Sequence, residues 1–103
     1  KINYLNKYSG EPLYISSDDD LATSEIYLNL NQVAERIQLA CLSEENCEGD
    51  LPIKTCESNF IIVEESEISD IVQEENCVFI RGSSENLVKL TDEFLFKTLE
   101  IEN

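Results

Sequence analysis

Apolar and polar positions along the chain separate first into a long stretch with helical periodicity, residues 21–42. The apolar positions that recur there at steps of three and four residues are Ile26, Leu30, Val33, Ile37 and Cys41. This spacing places them on one face of a helix, so the pattern predicts a single long helix. Residues 25–29 also alternate as a strand does, so a strand there, followed by a shorter helix, is the alternative. A face this apolar needs cover, and strand-like segments on either side of it predict a sheet.

Shorter segments with strand composition precede and follow this helix. These segments are residues 3–8, 11–16, 51–56, 60–64 and 77–81. The first two flank the turn pair Ser9-Gly10 and predict a β-hairpin over 2–16. The continuous apolar run FIIV at 60–63 predicts a central strand that is covered on both faces. Residues 64–76 are mostly acidic with three embedded apolar side chains, and this pattern fits either a loop or a short helix.

A second amphipathic helix is predicted near the end of the chain, over 84–100, with Ser83 or Ser84 as its N-cap. Phe96 falls outside its two apolar stripes, which indicates either a partner surface or a broad core-facing stripe with one exposed aromatic ring. The predicted order of elements is ββαβββα. We therefore expect one α+β domain over residues 1–103, a mostly antiparallel sheet of about five strands with both helices packed on it.

The charge balance is strongly acidic, because 22 Asp and Glu residues against 7 Lys and Arg give a net charge of −15. Eleven of the acids lie between residues 42 and 76, where Lys54 is the only base. Nucleic acids and anionic lipids require a basic surface, so no direct binding to either is expected. The sequence has no apolar run of about 18 residues, so no membrane insertion is expected. The charge favours a basic protein partner, and a solvated acidic surface is the alternative.

Few residues could support catalysis, because the chain contains no His to act as a base near neutral pH. Gly10, Gly49 and Gly82 are isolated from one another, so the sequence has no glycine-rich phosphate loop. We expect a non-enzymatic protein with no catalytic residue, no cofactor and no metal site.

The four cysteines are Cys41, Cys47, Cys56 and Cys77. Cys41 on the helix face and Cys77 at a strand start are predicted to be buried free thiols. Cys47 and Cys56 flank a short acidic loop and could pair in an oxidising compartment. A cytoplasmic protein is expected, because the sequence has no visible signal peptide and no Asn-x-Ser/Thr site. The four cysteines and the start at Lys1 keep secretion as an alternative.

The opening segment INYLNKYSGEPLYIS resembles that of the roadblock and longin group of small α/β domains. Its pattern SGEPL at residues 9–13 is followed by a long amphipathic helix, as in that group. The resemblance implies a dimerising adaptor or scaffold subunit in complexes that control small GTPases, motor cargo or vesicle traffic. The chain departs from the roadblock form because the first helix is missing and the acidic insert at 64–76 is longer than a turn. No functional residue is carried over.

These observations predict an interaction or adaptor subunit, which pairs an apolar helix face or a sheet edge with a protein partner or a second copy. The residues predicted for this contact are Leu95, Phe96 and Leu99 for its apolar part, and Glu64, Glu65, Glu67 and Asp70 for its charge. The alternative is an acidic inhibitor of the viral anti-defence type, which mimics nucleic acid and occupies the basic groove of a nucleic-acid-binding protein. Its phosphate-like acids would be Glu44, Glu45, Glu48, Asp50, Glu57, Glu74 and Glu75.

Overall fold

A computed structural model describes residues 7–42, 47 and 49–100 of the chain, with the backbone alone for 99 and 100. Its elements in chain order are β1 (Pro12–Ser17), α1 (Asp20–Leu30), β2 (Arg36–Leu39), β3 (Phe60–Glu65), β4 (Asp70–Glu74), β5 (Cys77–Gly82) and α2 (Leu87–Glu100). The expected α+β class, with five strands and two helices, is confirmed. The order βαββββα differs from the predicted ββαβββα.

The sheet is mostly parallel, so the prediction of a mostly antiparallel sheet is wrong. Its strand order is β2-β1-β3-β5-β4, and β1 pairs in parallel with both β2 and β3. β3 and β5 are also parallel, and only β4 is antiparallel to its neighbour β5. The physical reason for the first parallel pair is the connection through α1. This helix returns the chain to the end of the sheet where β1 begins, so β2 starts beside the start of β1 and runs in the same direction.

The predicted helix over 21–42 is also wrong in length, because α1 ends at Leu30 and the chain turns before β2. The Leu30 carbonyl accepts hydrogen bonds from the N–H groups of both Val33 and Ala34, at 3.0 and 2.9 Å. Val33 and Ile37 still pack against the core that α1 contacts. The spacing of three and four residues therefore identified buried positions correctly. It did not identify their secondary structure, because a turn and a strand can bury side chains at the same spacing. The alternative strand at 25–29 is wrong too, since these residues lie within α1.

The start of α1 agrees with its acidic and hydroxyl-rich sequence. The Asp19 carboxylate accepts a hydrogen bond from the Ala22 N–H at 2.8 Å and caps the helix. Asp20 lies in the first turn, where its negative charge is favourable beside the positive end of the helix dipole.

Three further segments differ from the sequence predictions. Residues 3–6 lie outside the described part of the chain, and Lys7 and Tyr8 are helical. The predicted hairpin is wrong for β1, because β1 pairs in parallel with β2 on one side and with β3 on the other. Residues 51–56 form no strand beyond an isolated bridge between Cys41 and Ile53. The acidic stretch 64–76 contains the strand β4, where a loop or helix was predicted.

Both faces of the central strand β3 are buried, as its apolar run predicts. One face carries Ile61 and Val63, which belong to a core shared with α1 and α2. The other face carries Phe60 and Ile62, in a smaller cluster on the opposite side of the sheet. The helices thus form one covering layer, and a different part of the chain must cover the second face.

Two disulfides tie the segment after β2 near this second face. Cys41 bonds to Cys47, and Cys56 bonds to Cys77 at the start of β5. The predicted free thiols at Cys41 and Cys77 are therefore wrong, and Cys47 and Cys56, whose pairing the sequence left open, each bond to another cysteine. The register explains the second bond, because Cys77 lies beside Phe60 in the apolar cluster that Cys56 packs against. The disulfides indicate an oxidising environment, so they do not support the cytoplasmic expectation.

Among the described residues, no helix combines the length and the apolar character that a membrane span needs.

We expect the Cys56–Cys77 disulfide to contribute more to stability than Cys41–Cys47. It closes a loop of sequence separation 21 rather than 6, and cross-links of that loop length stabilise by about 3 kcal/mol through the unfolded chain. Urea unfolding should show the larger loss for Cys56→Ala/Cys77→Ala than for the matched pair Cys41→Ala/Cys47→Ala. Equal losses, or the reverse order, would contradict this assignment.

Candidate functional site

The described residues contain neither a metal-binding cluster nor a free thiol. They hold no group of three or more His, Cys, Asp or Glu side chains placed to bind a metal ion. All four cysteines are in disulfides, so no thiol is available as a nucleophile. Two surfaces are distinctive, one acidic and one largely apolar.

The acidic surface, called the acidic edge below, lies where the parallel strands β1 and β3 end and β4 begins. It consists of Asp18, Glu64, Glu65, Glu67 and Asp70. The Glu65 N–H donates to Asp18 Oδ2 at 3.1 Å, which ties the ends of β1 and β3 together. Four of these acids were predicted as partner contacts, and the fold does bring them to one edge of the sheet.

Arg81 lies among these acids on β5. The ladder places Glu64 and Asp70 on either side of it, with Arg81 Nε 2.7 Å from Glu64 Oε2 and Nη1 3.9 Å from Asp70 Oδ1. The hydrogen bond to Glu64 raises the pKa of Arg81, and nearby Asp70 and Glu74 act in the same direction. Its guanidinium carbon also lies 4.8 Å from the ring centre of Phe79, a cation–π contact. Arg81 therefore offsets part of the negative charge of this edge.

The second surface, called the helix surface below, is formed by the outward sides of α1 and α2. α1 follows β1 and α2 follows β5, and these two strands are parallel. Both helices therefore begin at the carboxyl ends of these strands and run side by side in the same direction. Its exposed apolar side chains are Leu21, Leu28 and Phe96, which are 69%, 75% and 64% exposed. An open groove of about 550 Å³ runs along α2 beside it, lined by Glu85, Val88, Lys89, Asp92, Glu93 and Phe96.

Glu25 of α1 lies next to Asp92 of α2 at this surface. Hydrogen bonding to Asp92 and the charge of Asp92 raise the pKa of Glu25, so the two carboxyl groups lie at about the same level. Leu28 lies three residues beyond Glu25 and Phe96 four beyond Asp92, rises of about 4.5 and 6 Å along the helix axes. Leu28 and Phe96 therefore occupy nearly the same level of the helix surface, next to the carboxyl pair.

The seven predicted contact residues do not form one site. Phe96 is exposed as predicted, but Leu95 is 2% exposed and packs in the core, so its predicted contact role is wrong. The side chain of Leu99 lies outside the described residues. Phe96 is nine residues from the start of α2 at Leu87, about 14 Å along the helix. The apolar and acidic parts of the predicted site are therefore separate surfaces.

Sequence reasoning missed Leu21 and Leu28. They are seven residues apart, two turns of helix, and lie opposite the buried Ala22, Ile26 and Leu30. The signal was present as a second, short apolar stripe. The alternation of Ile26, Leu28 and Leu30 concealed it, because it resembled a strand.

The carboxyl pair has a pH-dependent effect on stability. A hydrogen bond between two carboxyl groups needs a proton, so the contact with Asp92 raises the pKa of Glu25 above its ordinary 4.5, and the negative charge of Asp92 adds to this. Because the folded protein holds this proton more tightly, the contribution is present below pH 4.5. It is lost as the pH rises through the raised pKa, leaving two carboxylates in contact at neutral pH.

We therefore expect Glu25→Gln to raise the melting temperature at pH 7, because an amide donates to Asp92 without repelling it. The gain should diminish as the pH falls towards 4, where the native pair is itself protonated. Thermal unfolding across this range measures the difference, and Glu93→Gln on α2 controls for the loss of one charge. A gain that is independent of pH would contradict the role of the pair.

Compared with known proteins, the chain matches no family model, and no curated protein or solved structure is significantly similar to it. The roadblock and longin resemblance stays a prediction, and the function must follow from the two surfaces themselves.

Proposed function

We propose that the chain is a non-enzymatic binding domain whose helix surface docks a basic protein partner. The observation that carries this proposal is the position of three large apolar side chains, Leu21, Leu28 and Phe96, on the outward sides of two adjacent helices. Each is more than three-fifths exposed, although the core beneath them is filled by other residues of the same helices. An aromatic ring beside aliphatic side chains is typical of the centre of a protein interface.

The charge around the helix surface supports a basic partner. Glu25, Glu85, Asp92 and Glu93 lie on or beside it, and Lys89 and Lys97 are the basic residues of α2. A partner with Lys or Arg around an apolar centre would complement this arrangement and would bring the Glu25–Asp92 pair a counter-charge. The acidic edge lies near the start of α2, away from Phe96. Its charge adds to the long-range electrostatic field that steers such a partner towards the domain.

A second copy of the chain is a poorer occupant. Each copy carries a net charge of −15, and pairing two helix surfaces would bring like charges together around the apolar centre. The interface would also contain two Glu25–Asp92 pairs. The apolar contacts of a dimer would therefore have to overcome the repulsion between the carboxylates of the two copies. The proposal is therefore a heteromeric contact.

The compartment of this interaction is part of the proposal. The disulfides Cys41–Cys47 and Cys56–Cys77 persist in oxidising surroundings, such as the cell exterior or a secretory lumen. We infer that the domain meets its partner there. Partner searches should use secreted or lumenal fractions rather than a reduced lysate.

The test compares proteins captured from such a fraction by wild type, Phe96→Asp and Leu28→Asp. A central aromatic contact costs about 2 kcal/mol or more when removed, so Phe96→Asp should reduce capture at least about tenfold. Ile53→Asp is the control, because Ile53 is 47% exposed and lies outside the helix surface and outside the strands of the sheet. Circular dichroism should show that all variants remain folded.

A basic protein captured by wild type and Ile53→Asp, but lost with Phe96→Asp and Leu28→Asp, would support the proposal. Equal capture by wild type and Phe96→Asp would overturn it. Capture of nucleic-acid-binding proteins that is insensitive to Phe96→Asp and abolished by salt would favour the mimicry alternative instead. Of the acids in that alternative, Asp50, Glu57, Glu74 and Glu75 are exposed, and Glu44, Glu45 and Glu48 lie outside the described residues.

A further inference from the structure

A third feature of the molecule, separate from the helix surface, is the free edge of the sheet at β4. This strand is the last in the order β2-β1-β3-β5-β4, and it pairs only with β5. Five consecutive residues, Asp70–Glu74, are in register with that neighbour without a bulge. Within the described chain, no strand pairs with the outer side of β4, so half of its backbone groups face outwards.

The edge at β4 carries one kind of protection against strand addition. Natural edge strands are protected by Pro, charged side chains, a bulge or a covering loop. Among the described residues, β4 has the carboxylates Asp70 and Glu74, which repel an acidic strand but attract a basic one. Residues 66–76 contain no Pro, Lys or Arg. Ile68 and Ile71, at 71% and 38% exposed, leave apolar surface at and just before the strand. The opposite edge strand, β2, is shorter and carries Arg36.

A cavity beside the edge could accept a side chain of an added strand. It has a volume of about 210 Å³, lies between the sheet and α2, and is lined by Ile71, Gln73, Val78, Phe94 and Lys97. Ile71 and Gln73 of β4 lie on the helix side of the sheet, because their ladder partners are Ile80 and Val78 of the main core. A residue added opposite Ile71 would point to the same side, towards this cavity.

The other side of β4 is acidic. Asp70, Val72 and Glu74 share the face that holds Phe79 and Cys77. Glu67 and Glu75 flank the strand and are exposed. Asp70 is 3.9 Å from Arg81, whereas Glu74 is exposed at the far end of the strand. An added strand would therefore meet apolar surface opposite Val72 and negative charge opposite both ends of β4.

We propose that the outer edge of β4 binds an extended, basic peptide segment of a partner as an additional antiparallel strand. The segment carries Lys or Arg opposite Glu74 and Asp70, a β-branched residue opposite Val72, and an apolar side chain opposite Ile71 that enters the cavity. Backbone hydrogen bonds supply sequence-independent affinity, and the alternate side chains supply specificity. This site goes beyond the helix surface and does not depend on it.

The charge pattern excludes a second copy as the natural occupant. Antiparallel pairing of two β4 strands about Val72 would place Asp70 directly opposite Glu74 of the other copy, twice in the interface. Like charges directly opposite one another destabilise a strand pair. A basic strand reverses the sign of both contacts, so the occupant is a different chain.

The experiment uses the whole, oxidised protein, labelled with ¹⁵N, and the peptide Gly-Ser-Lys-Thr-Val-Leu-Lys-Ser-Gly as the probe. In antiparallel register its Lys-Thr-Val-Leu-Lys core faces residues 74 to 70 in that order. We expect the largest amide shifts within 70–74, and at least tenfold slower hydrogen exchange for alternate amides of that strand. The same peptide with Glu in place of both Lys should bind at least about fivefold more weakly, by the usual range for cross-strand charge pairs.

Variants separate this site from the helix surface. Glu74→Lys should weaken binding of the basic peptide about fivefold and improve binding of the acidic one. Glu93→Lys, with the same charge change on α2, and Phe96→Asp should leave the peptide affinity unchanged. Shifts that map to α1 and α2, equal binding of the two peptides, or no slowing of exchange in β4 would overturn the proposal. None of these outcomes bears on the docking of a protein at the helix surface.

Discussion

The fold depends on the parallel pairing of three apolar strands whose side chains are buried on both faces. β3 lies between β1 and β5, and its residues Phe60 to Val63 are almost completely enclosed. A sheet of this kind is stable only if each face is covered, because an exposed Ile or Phe would lose the free energy of burial, about 1.5–3 kcal/mol per side chain. The two covers are built differently, and they leave different surfaces exposed.

The helix cover is regular and leaves an outer surface. α1 and α2 use their inner sides for the core, so any large apolar residue off that side must face outwards. Leu21, Leu28 and Phe96 are such residues. The opposite cover has little regular structure. The Cys56–Cys77 bond ties it to the sheet, and Lys54 Nζ lies 5.0 Å from the ring centre of Tyr14. The aromatic rings on this face of the sheet already contact other residues of the chain, so this face is less suited to a partner.

The acidic charge is distributed unevenly over this frame. Arg81 lies between Glu64 and Asp70, and Arg36 donates a hydrogen bond to the Tyr14 hydroxyl at 3.1 Å. Two of the seven basic side chains therefore make contacts within the sheet. Within the described residues, no Lys or Arg side chain forms an ion pair with Glu25 or Asp92 on the helix surface or with Glu74 on β4. Both surfaces therefore combine exposed apolar side chains with negative charge, although they offer a partner different geometries. We propose the helix surface for a folded partner and the edge at β4 for an extended segment.

The sequence by itself determined the elements whose pattern depends on local chemistry. The buried strand β3, the strand β5, the C-terminal helix and the acidic cap of α1 follow from apolar runs, helical spacing and capping residues. The exposure of Phe96 also followed, because a helix has only one buried side. The acid-rich stretch 64–76 was not recognised as containing β4, because an edge strand in contact with solvent need not be apolar.

Only the tertiary structure decided the direction of the strands, the disulfide pairing and the grouping of the surface residues. Val33 and Ile37 satisfy a helical spacing equally well from a turn and a strand, so periodicity could not locate the end of α1. Four cysteines permit three pairings, and the pairing that formed depends on the register that sets Cys77 beside Phe60. Leu95 and Phe96 are adjacent in sequence, yet one is in the core and the other in solvent. A helix turns about 100° per residue, and only packing against the sheet fixes which side is buried.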